Sequence, residues 1–161
     1  PEVIKGIRQL TAFDFTYDIL IYPTQLKAAL HLVRELPEVD FVVDHIAKPY
    51  IKDGKLNTWS NYMRQLAAQP QVHCKVSGMV TEADWKNWTK KDFYPYLDVV
   101  FEAFGPDRLV FGSDWPVCLV AAEYEQVIGL VRDYMINVGF SASDQAKVFG
   151  ENATRFYRLE V

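Results

Sequence analysis

The chain has 161 residues, half of them hydrophobic and about a quarter charged, a balance that suits one folded domain and excludes a disordered segment. Its net charge of −4 comes from interspersed signs, so it has no basic stripe of the kind that follows nucleic acid. No run approaches the roughly 18 apolar residues of a membrane span. The opening PEVIKGIRQL lacks the charge, apolar core and cleavage site of a signal peptide. Cys74 and Cys118 stand without CxxC spacing and read as reduced core residues of a cytoplasmic protein.

In chain order, strands alternate with helices. KGIRQ (5–9) is predicted as a strand, and FTYDILI (15–21) as the next. PTQLKAALHLVREL (23–36) follows as a helix with Leu26, Ala29, Leu30, Val33 and Leu36 on one stripe, the period of an amphipathic helix. VDFVVDHI (39–46) reads as a buried strand, and after a polar loop the helix TWSNYMRQLAAQ starts with Thr58 as N-cap. QVHCKVSG (71–78) is a strand in which His73, Lys75 and Ser77 share one face while Val72, Cys74 and Val76 share the other. A long loop with Trp85 and Trp88 leads to the helix YPYLDVVFEAFG, ended by Gly105. RLVFGSD (108–114) is the last strand, followed by a helix over 123–139 and a helical end with Ser141 as N-cap.

Such alternation means a parallel sheet with helices packed on it. Five strands suit a flavodoxin-like doubly wound sheet; the alternative is part of a (β/α)₈ barrel, which needs about 250 residues when complete. One junction strains both. Only Leu10 to Asp14 separate the first two predicted strands, whereas a parallel crossover takes a dozen residues or more. QLTAFD carries no hairpin signal, so the expectation is a missing segment after about residue 10.

In either architecture the active site lies at the carboxyl ends of the strands. There stand Arg8; then Asp44, His45 and Lys48; then Lys75, Ser77 and Gly78; and finally Ser113, Asp114 and Trp115. A carboxylate at the rim of an apolar strand suits proton transfer or metal binding, although Asp114 could equally cap the next helix and His45 could serve a backbone carbonyl. The cations have no conspicuous run of acids beside them, and Glu82 and Asp84 read as solvated loop residues. His73 reads as structural, and His31 as a half-exposed helix residue.

The set GIR, YDILI with PTQL, VVDHIAKP, CKVSG, FGSDWPV and NATRFY, running from about Lys5 to Leu159, resembles the amidohydrolase-related lactonases, the group that contains sugar-lactone hydrolases and 2-pyrone-4,6-dicarboxylate lactonase. The resemblance implies a TIM barrel of which this chain, residues 1–161, supplies the C-terminal part, about the last five strands and their helices. The family's HxH pair on the first strand would then lie outside the sequence. Five strands alone would leave apolar edges open.

By the same resemblance, Asp114 and His45 are the catalytic candidates in the hydrolysis of a lactone of a sugar acid or aromatic catabolite. Asp114 would activate water and His45 would orient the carbonyl, or both would ligate a divalent metal such as zinc; related barrels differ on metal use. Arg8, Lys48, Lys75, Ser77 and Trp115 would bind a small substrate that is anionic or becomes so. No nucleic-acid or membrane partner is expected. The alternatives are a metal-dependent decarboxylase of the same superfamily and a non-catalytic binding domain.

Overall fold

The computed structural model of the protein describes residues 2–160. Four strands, β1 (Tyr17–Ile19), β2 (Phe41–Val43), β3 (Val72–Val76) and β4 (Leu109–Phe111), form one parallel sheet in the order β1-β2-β3-β4. A sheet whose spatial order follows the chain order has no switch point, so the flavodoxin-like alternative is excluded and the winding is that of a barrel. Between the strands run α2 (Leu26–Glu35), α3 (Asn57–Ala67) and α4 (Lys90–Phe104), each packed on the next, and α5 (Tyr124–Val138) packs on α4.

The predicted strand KGIRQ is a helix instead, α1 (Glu2–Arg8), so the partial barrel has four strands and not five. Ile4, Ile7 and Leu10 recur every third residue and all turn toward the core, which is a helical period that a five-residue window hides. A 3₁₀ turn and a left-handed Asp14 then deliver the chain to β1. Among the described residues no strand precedes β1, so residues 10–14 do not have to span a parallel crossover. Two helix starts also differ. α3 begins at Asn57 without a side-chain cap. α4 begins four residues before Tyr94, because Thr89 and Asp92 form a capping box in which the Thr89 N–H donates to the Asp92 carboxylate at 2.6 Å.

Register decides which side chains share a face. Asp18 lies beside Val42 and Val42 beside His73, while Lys75 lies beside Val110. Val72, Cys74 and Val76 are buried in the apolar core, and burial pushes the Cys74 thiol pKa up. Both cysteines are free, as expected. The other face of the sheet is polar in the middle, and the C-terminal segment covers its amino end. That segment comprises α6 (Ala142–Ala146), capped by Ser141, a π turn over Lys147–Glu151, and α7 (Asn152–Phe156). The buried Asn152 amide donates to the carbonyls of Pro106 (2.6 Å) and Leu109 (2.8 Å). Phe156 lies on His73, and Arg158 pairs with Asp14 and Asp40. No described helix is long and apolar enough to cross a membrane.

His73 is structural, as its position near the strand start implies. Burial pulls its pKa down to about 4, helped by Arg108 and Arg155 and opposed by Asp40. The unfolded chain takes up a proton near pH 6.5 that the folded chain refuses until about pH 4, so stability is full above that window and falls as pH drops through it. Urea midpoints should therefore decline between pH 7 and pH 5 in the wild type and decline less in His73→Phe. An equal decline in both would clear His73.

Candidate functional site at the carboxyl ends of the strands

β2 and β4 are separated by β3, two strand spacings of about 4.8 Å each, so side chains following them meet only if one reaches over β3. His45 does so. Its ring lies across Gly78, where a Cβ would stand 2.6 Å from Nδ1, and Gly78 has φ +60; glycine is required there both for room and for the left-handed backbone. Nδ1 of His45 lies 2.8 Å from the hydroxyl of Ser77, at the end of β3. Nε2 lies 3.8 Å from the Asp114 carboxylate, beyond β4. Ser77, His45 and Asp114 thus form one line across three neighbouring strand ends. The last gap exceeds a hydrogen bond.

The backbone that carries His45 is unusual. His45, Ile46, Ala47 and Lys48 all have positive φ, between 45° and 58°, a left-handed turn that costs L-residues about 1–2 kcal/mol each. Such strain persists where the surroundings over-determine it. The Trp59 indole donates to the Ile46 carbonyl at 2.7 Å from within the core, Lys48 N–H donates to the His45 carbonyl at 2.8 Å, and Lys48 pairs with Glu82 at 2.6 Å. Asp44, at the head of the turn, pairs with Lys75 at 2.6 Å. Asp114 also sits in the left-handed region, at φ 58. Among the described residues the next helical segments are headed by other residues, the 3₁₀ turn at Val117–Val120 by Pro116 and α5 by Glu123, so Asp114 is the N-cap of neither.

The predicted cations are differently placed. Arg8 ends α1, and its guanidinium holds Glu38 at 3.0 Å, before β2 and so at the amino end of the sheet, away from His45; its assignment to the site came from reading KGIRQ as a strand. Lys75 is at the sheet's inner face but saturated, with Asp18 at 2.8 Å and Asp44 at 2.6 Å. Burial opposes its charge, yet these carboxylates outweigh burial and the ammonium pKa is raised. Tyr157 donates to the same Asp18, and its own pKa is pushed up to about 12, chiefly by burial. Acids do neutralise the cations, then, and Glu82, read from sequence as solvated, is one of them. Ser77 is 2% exposed, and its hydroxyl is engaged with His45. Trp115 is 64% exposed at the mouth. The loop tryptophans divide: Trp88 donates to the Ala121 carbonyl and packs on Phe93, while Trp85 is exposed. They flank a groove of about 660 Å³ against α5 that neither His45 nor Asp114 lines.

No group of three or more histidine, cysteine or acidic side chains that could hold a metal occurs among the described residues. His45 and Asp114 make two donors where a catalytic zinc uses three protein ligands. The residues present do not complete a metal site.

If Trp59 anchors the left-handed turn, Trp59→Phe keeps the ring in the core and strands a buried carbonyl. The expected loss is about 1–3 kcal/mol, read as a lowered urea midpoint; an unchanged midpoint would mean that the turn is held by its other contacts.

A family model described as amidohydrolase matches residues 5–159. The L-fucono-1,5-lactonase of Burkholderia multivorans is 38% identical over 167 residues, covering 98% of this chain and 56% of the relative. That of Burkholderia ambifaria is 36% identical, covering 99% of this chain and 56% of its own length. A crystal structure of an amidohydrolase from Burkholderia multivorans with bound zinc superposes with a TM-score of 0.93 at 39% identity, covering 98% of this chain and 57% of that one. The chain therefore spans about half the length of the curated relatives it matches. The parallel strand order and a match over nearly every residue agree, and the chain belongs to the amidohydrolase family.

Proposed function

We propose that the protein containing this chain hydrolyses the cyclic ester of a sugar acid, and that this chain supplies the C-terminal part of its barrel with the water-activating half of the active site. The observation that carries the reading is the 3.8 Å approach of His45 Nε2 to the Asp114 carboxylate at the carboxyl ends of the strands. Relatives named as L-fucono-1,5-lactonases, similar over nearly the whole chain, support the substrate class.

Opening a lactone needs a base for water and a donor for the oxygen that gains charge. Asp114 takes a proton from water as the water oxygen bonds to the carbonyl carbon. His45 presents Nε2 to the carbonyl oxygen. When the ring C–O bond breaks, Asp114 returns the proton to the departing alkoxide, leaving a hydroxy acid that ionises. The exposed face of Trp115 offers a surface for the C–H face of a sugar ring, and the Lys48–Glu82 pair offers polar groups for its hydroxyls. A divalent ion would find two donors here and would need others from elsewhere in the protein; none of these steps is routed through one. Free, buried Cys74 and Cys118 fit a cytoplasmic setting.

In the intact protein, Asp114→Asn should lower lactone kcat by roughly 10²–10⁴-fold while circular dichroism and melting temperature hold. Asn tolerates the same left-handed backbone, so undiminished turnover would dismiss Asp114 as the base.

A further inference from the structure

Ser77 is a buried hydroxyl whose hydrogen must go somewhere. A hydroxyl has one hydrogen to donate, and a buried polar group left unpaired is costly. Among the described residues the Ser77 hydroxyl makes one hydrogen bond, to Nδ1 of His45 at 2.8 Å. Had Nδ1 carried the proton, two donors would face each other unless the serine hydrogen found another acceptor, and no other side-chain or backbone oxygen receives it. The contact is also built from both sides. Gly78 leaves room for the imidazole, and Gly112 leaves room for Ser77, whose Cβ would lie 3.1 Å from any Cβ at 112.

We propose that Ser77 is a positioning residue: its hydroxyl donates to Nδ1 of His45 and commits the neutral imidazole to the Nε2–H tautomer, with that proton aimed into the space beside Asp114. The proposal rests on the hydrolase reading for its catalytic consequence, since an Nε2–H is what a developing oxyanion needs and an unprotonated Nε2 would repel it. The tautomer itself rests on the hydrogen accounting alone. It is the reverse of what a metal bound through Nε2 would require, because a ligating nitrogen must be unprotonated.

The test has two arms on the intact protein. The first is ¹⁵N NMR of His45 at neutral pH, with resonances assigned by their loss in His45→Gln: a protonated Nε2 and an unprotonated, hydrogen-bonded Nδ1 are expected. Ser77→Ala should move the Nδ1 shift toward that of a free ring nitrogen. The second arm is lactone kinetics, in which Ser77→Ala should lower kcat about tenfold, equivalent to about 1.4 kcal/mol, with KM little changed. Ser77→Cys, a weaker donor of similar size, should fall between the two. Protonated Nδ1 in the wild type would overturn the tautomer, and full kcat in Ser77→Ala would overturn the positioning role. Absence of lactone turnover in the wild type would defeat the hydrolase reading instead, while the NMR arm still decides the tautomer.

Discussion

The reach of His45 across β3 is the constraint on which the site depends. Parallel strands at fixed spacing keep the ends of β2 and β4 apart, and an imidazole bridges that distance only if nothing stands on the strand between. Gly78 clears the path, and Ser77, one residue earlier, turns a close pass into a hydrogen bond. The left-handed run from His45 to Lys48 sets the direction of the reach. Four residues in that conformation would be untenable in a free loop; here the core reaches up through Trp59, while Lys75 from β3 and Glu82 from the turn after it reach across.

Charge in the inner face serves geometry first. Lys75 sits between Asp18 and Asp44, one on β1 and the other at the head of the turn, so it ties three strands together at mid-depth. Burying an ammonium is unfavourable without partners, and two carboxylates with a tyrosine hydroxyl near them meet that need. The C-terminal segment closes the face below: Asn152 fixes it to β4, Phe156 covers His73, and Arg158 fastens it to the acids before β1 and β2. The end of the chain thereby supports the floor beneath the site.

The sheet is open at both edges. Phe13, Phe15, Leu20 and Tyr22 are exposed around β1, and Trp115, Val117, Leu119 and Val120 beyond β4. Unpaired strand edges flanked by exposed apolar side chains are what natural sheets avoid. The match to about half of each relative's length gives the reason, since in a complete barrel further parallel strands cover both edges.

Much of the candidate site was legible in the residues because strand ends are marked by chemistry. An apolar run that stops at Asp114 or at His45 points to the rim, and alternation in QVHCKVSG correctly separates the buried face from the polar one. The helix α1 reads as a strand because KGIRQ, a five-residue window with one isoleucine, fits strand and helix alike, and Arg8 is placed at the rim with it. Pairings were beyond sequence. Nothing in the chain order says that Lys75 meets Asp18, 57 positions away, or that Glu82 meets Lys48, because register and loop packing set those distances. Residue types along the chain announced which groups could do the chemistry, since hydrophobic period and polar endpoints are local properties. Which of them face one another, and which cations are already spent on carboxylates, followed from strand order and from the backbone turn at 45–48, both set by packing between segments far apart in the chain.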